Sequence, residues 1–172
     1  MNQTGMPTGP SASVTPRGTV INLQILPEHR QQPAAVSQVR ALVDHGLEGD
    51  THGKKKAGSR RQILILDQGT LQELGLRPGD LREQITLDFP PLETLPAGTQ
   101  LRIGQVTCEL TGPCEPCTHI ATLVGVPDAA QFQMSLQGRR GQLAKVTAVD
   151  REGTIRVGDP VVVIGTRDPT PA

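Results

Sequence analysis

The order of apolar and polar positions predicts many short strands and few helices. Thr19 to Leu26 reads as a strand that Pro27 ends. Between residues 36 and 43 two periods compete. Val36, Val39 and Val43 fit helical spacing, whereas Val39 to Val43 also fits a short strand. From Gln62 to Leu66 the run Ile63-Leu64-Ile65-Leu66 is apolar without a break, the mark of a strand covered on both faces. Asp67 is placed to cap a following helix with Leu71 and Leu74 facing inward, and Gly75, Pro78 and Gly79 close it.

Further along, Gln84 to Asp88 alternates as a strand. Leu101 to Ile103 and Val106 to Thr111 form two more around the turn residue Gly104. Ala129 to Leu136 predicts a helix. Leu143 to Val149 alternates again, and Asp150-Arg151-Glu152-Gly153 predicts a hairpin turn. Ile155-Arg156-Val157, Gly158-Asp159-Pro160 and Val161 to Ile164 then read as strand, turn and strand. The sum is seven or eight short strands with two or three short helices. That predicts a β-rich α+β domain built as a closed or nearly closed β-barrel. The domain is expected over 17–166, between a polar tail at 1–16 and a short one at 167–172.

One stretch breaks the pattern. Asp44 to Arg61 has four glycines and no apolar period, which predicts a long loop. Loops of that length inside a compact domain tend to carry function.

Composition narrows the class. Among 172 residues, Lys plus Arg is 17 and Asp plus Glu is 17, giving a formal net charge of zero. A general nucleic-acid or membrane-surface binder would need a basic excess. Trp and Tyr are absent and Phe numbers two, so stacking platforms for single-stranded nucleic acid are excluded. Met1 to Pro7 has neither a basic start nor an apolar run, and Val161 to Ile164 is far too short to span a bilayer. A cytoplasmic protein is expected.

Three cysteines, Cys108, Cys114 and Cys117, fall within ten residues. An odd, crowded set is a poor disulfide framework and a better source of reactive or metal-binding thiols. Cys114-Glu115-Pro116-Cys117 precedes the weakly helical Ile120 to Leu123, and a thiol at such a start is stabilised as thiolate. Cys117, Cys114 and His119 are thus the candidate catalytic residues. Four readings of the segment stay open: a redox dithiol at Cys114 and Cys117, a single functional thiol, incidental cysteines, and zinc. The zinc set would be Cys108, Cys114, Cys117 and His119, in a small β-barrel acting as an interaction module. Cys108 alternates with Val106 and Leu110, which places it in the core.

Two more constellations carry charge. Gly46-Leu47-Glu48-Gly49-Asp50-Thr51-His52 sets carboxylates and a histidine in a tightly turning loop. Lys54, Lys55, Lys56, Arg60 and Arg61 crowd five cations into eight residues. The lysines read as a solvated loop. Arg60 and Arg61 stand directly before a buried strand, where a guanidinium makes an anion clamp. Arg82-Glu83-Gln84 stands in the same relation to the next strand. Arg139-Arg140, between Gly138 and Gly141, reads as a further clamp or an exposed turn.

The order of these pieces resembles the MOSC domain, named for the C-terminal domain of molybdenum cofactor sulfurases. The resemblance runs through Gly46 to His52, Arg61 to Asp67, Arg82 to Thr86, Leu95 to Gly104, Gly112 to Cys117, Gly138 to Gly141 and Ile155 to Asp159. It covers roughly 18–164. It implies a barrel-like fold and one essential cysteine in a Pro-Cys segment, which falls on Pro116-Cys117, although Pro113-Cys114 also fits. It further implies that Cys117 carries sulfane sulfur as a persulfide or binds molybdenum cofactor as a metal ligand. Related proteins are molybdenum-dependent reductases of N-hydroxylated compounds. The family's loop residues fall on Gly46, Gly49, Asp50 and His52, and its Arg-Glu-Asn segment on Arg82, Glu83 and Gln84, with Gln in place of Asn. A pterin cofactor with a phosphate tail needs cations, polar groups and a soft sulfur ligand. The expected cofactor-binding residues are therefore Asp50, His52, Arg60, Arg61, Arg82, Glu83 and Gln84. The expected partner is a cysteine desulfurase, a pyridoxal-phosphate enzyme, or an electron-donor protein.

Overall fold

A computed structural model describes residues 15–54 and 56–168. Most of the tail expected at 1–16, Lys55 in the basic loop, and residues 169–172 lie outside the described residues. The strands are β1 (Arg17–Ile25), β2 (Ala34–Val36), β3 (Gln38–Leu42), β4 (Gly46–Leu47), β5 (Ile63–Asp67), β6 (Ile85–Asp88), β7 (Thr99–Ile103), β8 (Val106–Pro113), β9 (Gln142–Val149), β10 (Thr154–Arg156) and β11 (Pro160–Thr166). The α-helices are α1 (Gln68–Glu73), α2 (Thr118–Val124) and α3 (Ala129–Ser135). None of the described helices is long and apolar enough to cross a membrane.

The main sheet runs β11-β7-β8-β9-β5-β6-β1-β2, and β1 also pairs with β11. Seven strands thus close a mixed barrel, with β2 outside it. β1 achieves this by dividing its length. Its first half pairs with β11 (Gly18 opposite Val161) and its last residues pair with β2 (Leu23 opposite Val36). Between Val20 and Asn22 its register on β6 shifts, so Val20 and Leu23 both point into the core despite their odd spacing. β5 and β6 run parallel, and β5 and β9 antiparallel. β10, β3 and β4 make a small separate sheet.

β5 explains its own sequence. All five of its residues are buried. Ile63 and Ile65 face the barrel interior with Leu87, Leu101, Val106 and Val146. Leu64 and Leu66 face a second apolar cluster of Leu71, Leu81, Cys114, Ile120 and Leu136, which packs the helices onto the outside of the barrel. A strand with apolar neighbours on both faces has no polar position to alternate with. As expected, Asp67 caps α1, its carboxylate accepting the N–H of Gly69 at 2.9 Å, and Leu71 is buried beneath it.

The structure decides two further regions. In the ambiguous stretch at 36–43, Gln38–Leu42 is strand, because Val39 and Ala41 alternate with exposed Gln38, Arg40 and Leu42. Period two decides the matter. The long loop at 44–61 is partly structured. Gly46 (φ +108°) turns the chain into β4, where a side chain would press on the backbone of Gln62, and Thr51–Lys54 forms a 3-10 turn.

Candidate functional site

A cavity of about 960 Å³ opens at the end of the barrel where β1 and β8 finish and β5, β6 and β9 begin. Each element brings a functional side chain to it. His52 comes from the 3-10 turn and Arg61 from the approach to β5. Arg82 and Gln84 lead into β6, Cys114 and Cys117 follow β8, His119 lies on α2, and Arg140 precedes β9. Leu64, Ile120, Leu123 and Leu143 supply apolar wall.

The charge at this cavity is one-sided. Arg30, Arg61, Arg82 and Arg140 line it, and none of its lining residues is Asp or Glu. A chain of zero formal charge has therefore gathered four of its guanidinium groups around one opening. Such a surface suits an anion.

Arg140 is the most unusual of these cations. It is 8% exposed, and its Nε and Nη1 have no hydrogen-bond partner. Burial lowers its pKa, and the charge of Arg61 lowers it further, whereas the proximity of Cys114, Glu83 and Cys117 works the other way. Its position is fixed by Gly141, whose backbone lies against β5 at φ +88°. A Cβ there would sit 2.5 Å from the carbonyl of Ile65. Cys114 is tied to the same turn, its N–H donating to the Gly141 carbonyl at 2.9 Å.

The two thiols differ. Cys117 is exposed, in extended backbone at the N-cap of α2, and makes no side-chain capping bond. Cys114 is buried in the cluster under the helices. The Pro116 carbonyl between them accepts from Gln133 Nε2 at 3.0 Å, anchoring the segment to α3.

Behind the cavity wall lies a polar network. Asp50 is 1% exposed. Its Oδ2 accepts the N–H of Leu26 at 2.7 Å, and its Oδ1 accepts the N–H of His52 at 2.9 Å and Nδ1 of His52 at 2.8 Å. Burial alone would raise its pKa. The bond from the His52 ring, with those from Leu26 and His52 N–H groups, outweighs that and holds the carboxyl below its ordinary value. Gln84 Oε1 accepts the N–H of Leu64 at 2.8 Å, and its Nε2 lies 3.2 Å from Asp50 Oδ1.

Of the expected site residues, the cavity brings together Cys117, Cys114, His119, His52, Arg61, Arg82 and Gln84. Three others stand apart from it. Asp50 faces the backbone of β1 and the His52 ring, so it orients the wall and does not form it. Glu83 is buried behind Arg82. Its Oε1 accepts from Gly79 N–H at 2.6 Å and from the Thr86 hydroxyl at 3.0 Å, and burial raises its pKa in spite of these bonds. It fastens the turn that holds Arg82 at φ +60°. Arg60 is exposed and donates to the Thr111 carbonyl at 3.0 Å.

The zinc set does not assemble. Cys108 faces the barrel interior, where burial pushes its thiol up to about 12, while Cys114 belongs to the cluster outside. Among the described residues no three His, Cys, Asp or Glu side chains gather as a metal site. Conversely, no pattern along the chain singles out His29 and Arg30, polar residues of a loop after β1. Arg140 carried one, a guanidinium between two glycines at the mouth of a strand, but the same signal fits its half-buried neighbour Arg139.

The profile of the MOSC domain matches residues 52–162, more than half of the chain. Among curated proteins none matches by sequence. In fold the chain is similar to the YuaD protein from Bacillus subtilis, with TM-score 0.72 over 87% of this chain and 96% of that one at 20% identity. It is also similar to YiiM from Escherichia coli, with TM-score 0.61 over 90% and 71% of the two chains at 19% identity. These structural likenesses speak to the barrel alone. The matched stretch takes in His52, Arg61, Arg82, Gln84, Cys114, Cys117, His119 and Arg140 of the cavity lining, while His29 and Arg30 lie before it. The chain therefore belongs to the MOSC domain family.

Proposed function

We propose that this protein carries sulfane sulfur as a persulfide on Cys117 and offers the adjoining cationic cavity to the molybdenum cofactor. The observation that carries this reading is the pairing of an exposed thiol with a cavity lined by four arginines and no carboxylate. The family association with molybdenum cofactor sulfurases supports it.

The residues present fit such a group. The cofactor is anionic, and Arg140 has buried N–H donors without a partner, which an anion's oxygens would satisfy. Arg61 and Arg82 would share the phosphate, and His52 and Gln84 would meet the polar edge of the pterin. A soft thiolate at Cys117 is the donor type that molybdenum takes. Bound, the cofactor would supply metal-centred sulfur or redox chemistry.

The protein's own part is plainer. Cys117 is free to react because it caps nothing and lies open to solvent. The guanidinium groups lining the cavity give it a cationic surface beside the thiol. Asp50 holds the His52 ring in one orientation through Nδ1. A cysteine desulfurase is the sulfur supplier this reading calls for.

The test uses wild type and Cys117→Ser side by side. Each is incubated with a cysteine desulfurase and free cysteine, then alkylated at once and mapped by mass spectrometry. Each is also made in a cofactor-competent host and analysed for molybdenum and pterin. The reading expects a trapped persulfide on Cys117, and metal and pterin in wild type that fall sharply in the variant. A wild-type protein that takes up neither sulfur nor pterin would overturn it.

A further inference from the structure

We propose that Cys114 is a resolving thiol, which attacks the sulfur-loaded Cys117 and releases the carried sulfur as sulfide. This rests on the reading that Cys117 carries sulfane sulfur, and it adds a chemical exit for that sulfur.

Three observations converge on it. Cys114 and Cys117 line the same cavity, three positions apart. The segment between them is held at both ends, by Cys114 N–H on the Gly141 carbonyl and by Gln133 on the Pro116 carbonyl. The buried guanidinium of Arg140 lies within electrostatic reach of both sulfurs, with Nε and Nη1 unpartnered. A guanidinium so placed stabilises negative charge that develops on a sulfur leaving Cys117. Cys114 itself is buried, its Sγ 3.8 Å from the Glu115 carbonyl, so outside sulfur donors meet Cys117 first.

The step balances within the protein. The Cys114 thiolate attacks Sγ of the Cys117 persulfide. The bond from Cys114 Sγ to Cys117 Sγ forms, and the bond from Cys117 Sγ to the outer sulfur breaks. The outer sulfur takes the electron pair and leaves as hydrosulfide, keeping its proton. Sulfane sulfur is reduced to sulfide, and the two cysteines are oxidised to a disulfide. A dithiol reductant then returns both thiols. The sulfur departs at the oxidation level of sulfide, the form in which a metal takes it as a ligand.

The test uses reduced protein under anaerobic conditions with inorganic polysulfide as the loading agent. Sulfide release, intact mass and the alkylation pattern are followed for wild type, Cys114→Ser, Cys114→Ala and Cys117→Ser. Wild type is expected to lose the mass of two hydrogens and to yield a peptide cross-linked between 114 and 117. Either Cys114 variant is expected to keep the mass of one added sulfur on Cys117 and to release sulfide about tenfold more slowly. A wild type that retains the added sulfur while Cys114 stays open to alkylation would overturn the resolving role alone. Failure of the Cys114 variants to load Cys117 would overturn the carrier reading and this inference with it. The wild-type cross-link is read without any variant, so a misfolded substitution leaves the proposal exposed to refutation.

Discussion

Asp50 Oδ1 lies 2.8 Å from Nδ1 of His52, and this contact fixes how the ring meets the cavity. The carboxylate only accepts, so Nδ1 carries the hydrogen. Gln84 Nε2, 2.9 Å from the same nitrogen, then cannot donate to it, and its hydrogen goes to Asp50 Oδ1. Nε2 is left as the ring nitrogen available to a guest. One buried carboxylate thereby joins the end of β1 at Leu26, the 46–52 turn and the segment at Gln84 that leads into β6.

Replacing Asp50 by Asn should destabilise the fold by about 1–3 kcal/mol at neutral pH, since buried donors lose a charged acceptor. The sign with pH follows from the depressed carboxyl. Its contribution is full above the ordinary value of 3.8 and is lost as pH falls through the lower folded value. Urea unfolding of both proteins should show a gap that is flat from pH 8 to about pH 5 and shrinks below about pH 4. A gap that persists unchanged in acid would mean the carboxylate charge is irrelevant.

The three cysteines should separate by reactivity. Cys117 is exposed and uncapped, so iodoacetamide should label it first in the folded protein. Cys108 should stay unlabelled until the barrel unfolds, because burial pushes its thiol up to about 12. Cys117→Ser should leave the melting temperature within about 2 °C of wild type, as an exposed surface change does. Peptide mapping after timed alkylation checks the order.

Much of this arrangement is legible in the residues, and the remainder is hidden for physical reasons. Ile63 to Leu66 announces a strand buried on both faces because every position is apolar, and Asp67 announces its helix because a cap needs that side chain. The sequence leaves two Pro-Cys steps open, at Cys114 and Cys117, and packing separates them, since one thiol is buried under the helices and the other is exposed at the start of α2. Closure of the barrel is not local. It depends on β1 pairing with β6 and, through its first residues, with β11 at the far end of the chain, which no window of sequence contains. The roles of Asp50 and Glu83 mislead for a related reason. A carboxylate in a polar turn looks like a ligand, and only packing reveals that Asp50 binds the N–H groups of Leu26 and His52 and that Glu83 Oε1 binds that of Gly79. Arg140 and Arg139 look alike in sequence. One pairs with Glu73 at the surface and the other is buried at the cavity.

Glu93 should make stability fall with rising pH. Burial raises its carboxyl from 4.5 to about 7, and the charge of Asp67 pushes in the same direction, while the Gly141 N–H works against them. A raised carboxyl favours folding fully below its ordinary value, and that contribution disappears as pH rises through the folded value. Glu93→Gln imitates the protonated acid. It should melt like wild type near pH 4 and several degrees higher at pH 8. Equal melting temperatures at both pH values would show that the carboxyl is hydrated in the fold.

The last expectation sets stability against binding at Arg140. A buried cation with two donors unpartnered carries a desolvation cost that the nearby Cys114, Glu83 and Cys117 offset only in part. Arg140→Met keeps the stem and removes the charge, so it should raise stability by about 1–3 kcal/mol. The same change removes the donors best placed for an anion in the cavity. Binding of inorganic phosphate or a pterin phosphate should weaken about tenfold or more, since a lost charge-assisted hydrogen bond is worth about 1.5–3 kcal/mol. Thermal unfolding and calorimetric titration on one pair of proteins measure both effects. A fold optimised only for its own stability would not keep this guanidinium, so a variant that loses stability without losing anion affinity would assign Arg140 to the scaffold and remove it from the site.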